Sequence, residues 1–192
     1  MEGKTFAFGA VSGQIFQVGI VVKDVDAGMK FYAENLNIGP FFISRQFMAP
    51  AGSYRGGDKN PLLSIAHAHT GKLFVELIQQ RDSTPSVYTE YMDKYGYGMH
   101  HYGIAIAPED YDRFVGDFYA KGFEDVFTDQ LPSGARIRYI APKGAPAMEN
   151  LKVTTGASYL ECVEVVPDEE AFFTGMRDTA LNWDGKTVYI ER

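Results

Sequence analysis

Apolar and polar positions alternate in two short runs that resemble one another. Residues 15–22 read IFQVGIVV and residues 99–106 read MHHYGIAI. Both are rich in β-branched or aromatic residues and have the two-residue period of a β-strand. A second matched pair consists of FVELI at residues 74–78 and YLECV at residues 159–163. The pattern therefore predicts the same two strands in both halves of the chain, which is an internal repeat.

A helical pattern follows the first strand of the first half. Met29 and Tyr32 belong to an apolar series with three- and four-residue spacing. Asp24 or Asp26 can cap the start of this helix, because a carboxylate accepts hydrogen bonds from the free N–H groups of the first turn. The NIGP segment at residues 37–40 should end it.

The second half repeats this order, with a helix that begins at Pro108 and runs to about Lys121. The triplet Phe-Tyr-Ala of the first helix returns on the second. The other predicted elements are strands at 41–48, 62–69, 72–80, 124–128, 135–141, 158–166 and 186–191, helices at 83–95 and 168–180, and loops at 49–61 and 142–157.

Each half is thus a strand, a helix and three strands. One such unit leaves an open sheet face, and two units can pair so that their concave faces enclose a cavity. We therefore predict an α+β fold in which two tandem βαβββ modules form a cavity-enclosing mixed sheet. The expected organisation is a single domain over 1–192, with modules at 14–98 and 99–166 and an extension at 167–192.

Four polar residues should line that cavity. Because side chains alternate between the faces of a strand, Gln17 and His101 lie opposite the apolar face that packs on each helix. Glu76 and Glu161 occupy equivalent positions in the second pair of strands. A carboxylate inside an apolar strand is costly to bury unless it is paired or binds a metal. One imidazole, one amide and two carboxylates suit a divalent cation. The alternative is that both glutamates face solvent on an uncovered sheet.

Composition limits the class of protein. The chain has 192 residues, 45% hydrophobic and 22% charged, as expected of a globular protein. A net charge of −7 argues against general binding to nucleic acid, which usually needs a basic face. No apolar run is long enough to span a bilayer, and residues 1–13 do not resemble a signal peptide. A single cysteine cannot form an internal disulfide, so we expect a cytoplasmic protein.

Longer phrases of the sequence resemble a known family. They are QVGIVVKDVDAGMKFYAENLNIGPFF, LFVELIQQ, GMHHYGIAIAPEDYDRF and YLECVEV, and the resemblance covers the chain from about residue 14 to about residue 166. The chain resembles the vicinal oxygen chelate (glyoxalase, bleomycin resistance and dioxygenase) superfamily, and most closely its glyoxalase I and methylmalonyl-CoA epimerase branch. The resemblance implies metal ligands at Gln17, Glu76, His101 and Glu161. This set resembles one form of glyoxalase I, whereas the epimerases more usually have His first and Gln second.

The resemblance also implies a chemistry. Enzymes of this branch bind a carbonyl or thioester substrate on a divalent metal ion (Zn, Ni, Co, Mn or Fe(II)), which polarises the carbonyl while a carboxylate moves the α-proton. The implied base is Glu161, with Glu76 second. The expected activity is that of an isomerase, epimerase or lyase, and a homodimer is left open.

Two other activities occur on this fold. One is a metal-free binding or resistance module, which usually lacks the ligand set. The other is an Fe(II) ring-cleaving dioxygenase, which uses two His and one Glu. Gln17 stands where that branch has its first His, and this disfavours a dioxygenase.

Two further histidines lie close to the predicted ligands in the sequence pattern. If Thr70-Gly71 is a two-residue turn, His67 lies opposite Phe74 and faces the cavity, where it can act in acid–base chemistry or contact substrate. The alternative is a histidine at a hairpin end in contact with water. His100 should point away from the face of His101 and have a structural role.

The remaining candidates are substrate contacts. Arginine side chains can bind a carboxylate or phosphate through forked hydrogen bonds, although a solvated surface position is the alternative for each. Tyr54 and Arg55 are candidates to close over the cavity from loop 49–61, and Cys162 should be a buried structural thiol. The candidate arginines are Arg45, Arg55, Arg136 and Arg138, and the candidate aromatic lining residues are Phe41, Phe42, Phe47 and Tyr139.

Overall fold

The computed structural model of the protein describes residues 3–144, 151–152 and 155–192. The predicted α+β fold is confirmed, with one mixed sheet and helices against it. In chain order the elements are β1 (Gln14–Val21), α1 (Val25–Leu36), β2 (Phe41–Phe47), β3 (Ser53–Tyr54), β4 (Gly57–Asp58), β5 (Leu63–His69), β6 (Phe74–Gln80), α2 (Val87–Tyr95), β7 (Gly98–Ile106), α3 (Pro108–Ala120), β8 (Phe123–Gln130), β9 (Arg136–Pro142), β10 (Tyr159–Glu164), α4 (Pro167–Leu181) and β11 (Tyr189–Glu191).

The strands form an eleven-stranded sheet in the order β11-β2-β5-β6-β1-β7-β10-β9-β8-β3-β4. β1 and β7 are antiparallel neighbours at its centre, and each pairs in parallel on its other side with the last long strand of its own half, β6 or β10. The four strands that carry the predicted ligands are therefore adjacent to one another.

The helices begin and end for the predicted reasons. Asp24 accepts a hydrogen bond from the backbone N–H of Ala27 at the start of α1, and Asn37 ends that helix in the left-handed conformation. Pro108 occupies the first turn of α3, where its missing N–H has no cost. The apolar face of α1 packs on Leu77 and its neighbours, and that of α3 packs around Cys162 and its neighbours, so both helices cover the face of the sheet opposite the cavity.

Two β-bulges interrupt the pairing of β1 with β7. The register shifts between Ile15 and Gln17, where Phe16 is the additional residue, and again between Gly19 and Ile20, where the additional residue is His100. Each bulge thus directly precedes a predicted ligand, one in each half. A bulge changes the face of the sheet on which the extra side chain lies, so strict alternation predicts the wrong face for Phe16 and His100.

Other details differ from the sequence predictions. His67 pairs with Glu76 and not with Phe74, because the hairpin turn contains four residues in place of two. A shift of two residues keeps the side chain on the same face, so His67 still faces the cavity. Loop 49–61 contains β3 and β4, and β3 pairs with β8 of the other half. The predicted loop 142–157 lies partly outside the described residues.

Candidate metal centre

Four side chains from the four central strands meet at one point of the cavity wall. Nε2 of His101 lies 3.1 Å from Oε2 of Glu76 and 3.3 Å from Oε2 of Glu161. Nε2 of Gln17 donates hydrogen bonds to the same two oxygens, at 3.1 and 3.0 Å. The structure therefore brings together all four residues that the repeat nominated. We call these four residues the ligand cluster.

Two glycines, Gly19 and Gly103, leave room for the side chains of the ligand cluster. In the pairing of β1 with β7, Gly19 lies opposite His101 and Gly103 lies opposite Gln17. A Cβ atom on Gly19 would lie 1.9 Å from Cε1 of His101, and one on Gly103 would lie 2.8 Å from Cβ of Gln17. Both glycines follow a cluster residue by two positions, which accounts for the repeated phrases QVG and HYG. The glycines thus recur in both halves because a side chain at either position would collide with a cluster residue.

The two carboxylates are almost fully buried. Glu76 is 5% exposed, Glu161 is 7% exposed and His101 is inaccessible. Burial alone would raise the pKa of Glu76, but hydrogen bonds from His101 and His67 hold it well below its ordinary value. Burial would lower the pKa of His101, but the two glutamates raise it to about 9. The two carboxylates therefore favour the protonated form of the imidazole.

The donor set fits a divalent cation. One donor atom from each of Glu76, His101 and Glu161 lies within 4.8 Å of the other two. Two carboxylates balance a +2 charge, and the set combines N and O ligands. The Gln17 amide at present directs Nε2 toward the carboxylates, and a rotation of about 180° of the amide plane would present Oε1 instead. A bound cation would take the place of the proton on His101, and the Gln17 amide would turn its oxygen toward the cation in place of its N–H groups.

His67 extends the cluster toward the cavity. Its Nε2 lies 3.2 Å from Oε1 of Glu76. Gln17 and His101 contact the other oxygen of this carboxylate, Oε2. Both oxygens of Glu76 are therefore engaged. In Glu161, by contrast, Oε1 accepts no hydrogen bond from any residue in the described part of the chain, and the residue lines the cavity.

His100 was predicted to point away from His101, and this was wrong. Its Nδ1 lies 2.9 Å from Nδ1 of His101, and its Nε2 lies 3.2 Å from the carbonyl oxygen of Val87. The β-bulge at His100 is the physical reason, because the extra residue turns its side chain to the cavity side. His100 is thus a partner that can fix the ring orientation of His101, a common arrangement behind metal-binding histidines. Alternation alone gave no signal for it.

The cavity next to the cluster has a volume of about 430 Å³ and mostly apolar walls. Phe47 and Tyr139 line it, as predicted, whereas Phe41 is buried in the core on the helix side and Phe42 is not a lining residue. Phe172 and Phe173 of α4 also line it. Sequence reasoning missed these two because α4 lies outside the repeat.

The four candidate arginines do not reach the cavity. Each of the four arginines is engaged by carboxylates elsewhere, and none is a lining residue. Tyr54 and Arg55 both bind Glu90 on α2, so they fasten the loop to that helix and do not close over the cavity. Cys162 is buried against α3, as expected of a structural thiol. The ion pairs are Arg45 with Asp26 and Glu191, Arg55 with Glu90, Arg136 with Asp112 and Glu164, and Arg138 with Asp125.

A comparison with protein families identifies the superfamily of the chain. A family model described as the Glyoxalase/Bleomycin resistance protein/Dioxygenase superfamily matches residues 16–141, which is more than half of the chain. The chain belongs to this superfamily. The match includes three members of the ligand cluster, while Glu161 lies beyond its end. The resemblance stated from the sequence is confirmed.

Two solved structures share the fold of this chain. Methylmalonyl-CoA epimerase from Mycobacterium tuberculosis is 20% identical with a TM-score of 0.54, over 84% of this chain and 95% of that chain. A hypothetical protein from Bacillus halodurans C-125 is 17% identical with a TM-score of 0.54, over 80% of this chain and 94% of that chain. At this identity the likeness establishes the fold alone. A comparison with curated proteins gives no significant match.

No helix among the described residues is long and apolar enough to cross a membrane.

Proposed function

We propose that this glyoxalase-superfamily protein is a divalent-metal-dependent enzyme that moves a proton α to a carbonyl group, as an isomerase, epimerase or lyase. The observation that supports it is the convergence of two buried carboxylates and a buried imidazole at the wall of an apolar cavity. Burying two carboxylates beside each other is costly unless a cation balances them. The proposed ligands are Gln17, Glu76, His101 and Glu161.

The bound cation would supply Lewis acidity toward a carbonyl oxygen of the substrate. The chain's own residues supply the rest. Glu161 is the proposed base, because its Oε1 is free of hydrogen bonds from the described residues while its Oε2 belongs to the ligand cluster. This carboxylate accepts the α-proton and returns it to the same or a neighbouring carbon.

Glu76 is less suited to accept a proton, because its two oxygens already interact with Gln17, His101 and His67. We assign it chiefly as a ligand and as the second candidate base. His67 lines the cavity and holds Oε1 of Glu76, so we assign it to positioning Glu76 and to proton transfer with substrate oxygens.

The proposed substrate is a small carbonyl or thioester compound. Because some structural neighbours bear the name methylmalonyl-CoA epimerase, an acyl-CoA thioester is the first class to test. A hemithioacetal of glutathione is the second, since the ligand set resembles that of one form of glyoxalase I. A homodimer and a cytoplasmic location remain predictions.

The test separates metal binding from proton transfer. Purified protein is stripped with chelator, titrated calorimetrically with Zn²⁺, Ni²⁺, Co²⁺ and Mn²⁺, and then incubated in D₂O with methylmalonyl-CoA or with the hemithioacetal of methylglyoxal and glutathione. The proposal expects one cation per chain and metal-dependent deuterium exchange at the α-carbon of a substrate. Absence of any divalent-metal binding would contradict it and favour the metal-free binding module of the same fold.

Glu161→Gln tests the base. It keeps a ligand oxygen but removes the basic carboxylate, so we expect metal to bind and exchange to fall by about 10²–10⁴-fold, the usual contribution of a general base. Glu164→Gln is the matched control, since Glu164 lies on the same strand, binds Arg136 and does not line the cavity. Full exchange by the Glu161→Gln variant would remove Glu161 from the role of base.

A further inference from the structure

A buried carboxylate faces the same cavity away from the ligand cluster. Asp129, near the end of β8, is 7% exposed and is a lining residue. Its Oδ1 accepts hydrogen bonds from the backbone N–H groups of Ala51 and Gln130, both at 2.8 Å. Its Oδ2 accepts none from the residues that the structure describes, so half of this carboxylate is available to a ligand.

The sheet register gives the position of Asp129 relative to the ligand cluster. Asp129 pairs with Ile137, and Ile137 pairs with Val163, which is two residues beyond Glu161 on β10. Two strand spacings across the sheet and two residues along it place the Cα atoms of Asp129 and Glu161 ~12 Å apart. With both side chains directed into the cavity, a compact molecule with one ring could contact both ends.

No cation of the described chain pairs with Asp129. Arg192 is the one described lining residue with a permanent positive charge, and its guanidinium lies over the ring of Phe172, 3.8 Å from the centroid. Burial raises the pKa of Asp129, and its two backbone hydrogen bonds only partly oppose this. A buried carboxylate with a vacant oxygen has a desolvation cost that a bound donor would offset.

We propose that Oδ2 of Asp129 binds a hydroxyl or amino group of the substrate, at the end remote from the oxygens that contact the metal. The inference rests on the proposed function and narrows its substrate class. The substrate would be a carbonyl compound with an apolar body and a distal hydrogen-bond donor. A carboxylate or phosphate placed directly against Asp129 is disfavoured, because no cation of the described chain pairs with this residue. A thioester or hemithioacetal substrate would have to present an N–H or O–H group there instead.

The competing explanation is structural, because Asp129 also holds the start of the loop through Ala51. Asp129→Asn distinguishes the two. The amide keeps an oxygen for the backbone N–H groups of Ala51 and Gln130, while it replaces the free oxygen by an N–H donor. Asp125→Asn is the matched control, since Asp125 lies on the same strand, pairs with Arg138 and is not a lining residue.

The probes are four para-substituted benzohydroxamates, whose two neighbouring oxygens can bind a metal ion. They carry a hydroxymethyl, aminomethyl, methyl or carboxylate group at the far end of the ring. Affinities are measured calorimetrically on Zn²⁺-loaded protein. We expect the hydroxymethyl or the aminomethyl probe to bind about tenfold or more tightly than the methyl probe, as for a hydrogen bond to a charged group. The preferred member of the pair identifies the donor.

Asp129→Asn should abolish a preference for the aminomethyl probe, whose ammonium group only donates, and reduce a preference for the hydroxymethyl probe, whose oxygen can accept from the new amide N–H. The affinity of the methyl probe should be unchanged, and Asp125→Asn should leave the preference intact. Equal binding of the donor and methyl probes, a preference that is undiminished in Asp129→Asn, or tightest binding of the carboxylate probe would each overturn the inference. Failure of the proposed function is distinguishable, because it appears first as absence of Zn²⁺ binding. In that case the carboxyl carbon resonance of Asp129 is followed by NMR in metal-free protein with benzyl alcohol, benzylamine and toluene. A shift with either of the first two, but not with toluene, supports the inference, and its absence overturns it.

Discussion

Replacement of Gly19 by alanine tests whether the glycines of the repeat exist for the ligand cluster. An ideal Cβ atom on Gly19 would lie 1.9 Å from Cε1 and 2.2 Å from Nε2 of His101, whereas ordinary contact begins at 3.4 Å. The imidazole would have to retreat by 1.5 Å (3.4 − 1.9). His101 is fully buried and its ring packs against those of His100 and Tyr139, so a shift of the imidazole would disturb this packing.

Two losses should follow from Gly19→Ala. Overpacking of a filled interior costs about 1–3 kcal/mol of unfolding free energy. Displacement of a ligand ring should weaken metal binding at least as much as disturbance of its supporting residues, which is typically 10–100-fold. Urea unfolding measures the first loss and calorimetric titration with Zn²⁺ measures the second. Gly103→Ala should have a smaller effect, since its nearest contact would be 2.8 Å.

The matched control is Gly116→Ala on the exposed side of α3, where an added Cβ atom meets nothing within 4 Å. That change should stabilise the protein by about 0.5–1 kcal/mol, because alanine favours the helix. If Gly19→Ala retained wild-type metal affinity and unfolding free energy, our explanation of the repeated glycines would be refuted.

Three other predictions concern stability and the ligand cluster. Hydrogen bonds from Arg136 lower the pKa of Glu164, so the stability they contribute is present above the unfolded pKa of about 4.3 and is lost as pH falls. Glu164→Gln should therefore lower the unfolding free energy by about 1–3 kcal/mol at pH 7, and a deficit equally large at pH 3 would contradict this. Ser86→Ala removes the capping box of α2 and should cost about 0.5–2 kcal/mol in urea unfolding, so an unchanged midpoint would count against the cap. His67→Gln should weaken Zn²⁺ binding about 10–100-fold through the loss of its contact with Glu76, and unaltered affinity in a calorimetric titration would exclude that role.

Most of the fold could be predicted from the periodic part of the sequence. Alternation and helical spacing are local signals, so they found the long strands, the two covering helices and the facing of Gln17 and Glu76. They could not find the bulges, because the extra residue at Phe16 or His100 is defined only by pairing between strands that lie far apart in the sequence. The contact of His100 with His101 was missed for that reason.

The far end of the cavity was harder to predict. Asp129 lies one residue beyond the predicted strand 124–128, although it shares a face with Phe127 and can be recognised by the same reasoning as Glu76. Phe172 and Arg192 line the cavity only because the C-terminal extension packs over it. The ion pairs of the four arginines could not be predicted from the sequence, because the positions of their carboxylate partners depend on tertiary structure.

The most direct test of the account is anomalous diffraction at the zinc edge from crystals of the protein soaked with Zn²⁺. We predict one strong peak per chain, coordinated by His101 nitrogen at about 2.0–2.1 Å and by oxygens of Glu76, Glu161 and Gln17 at about 2.0–2.2 Å. A peak elsewhere, or a fully occupied cation that leaves either glutamate unbound, would contradict the assignment of this cluster as the metal centre.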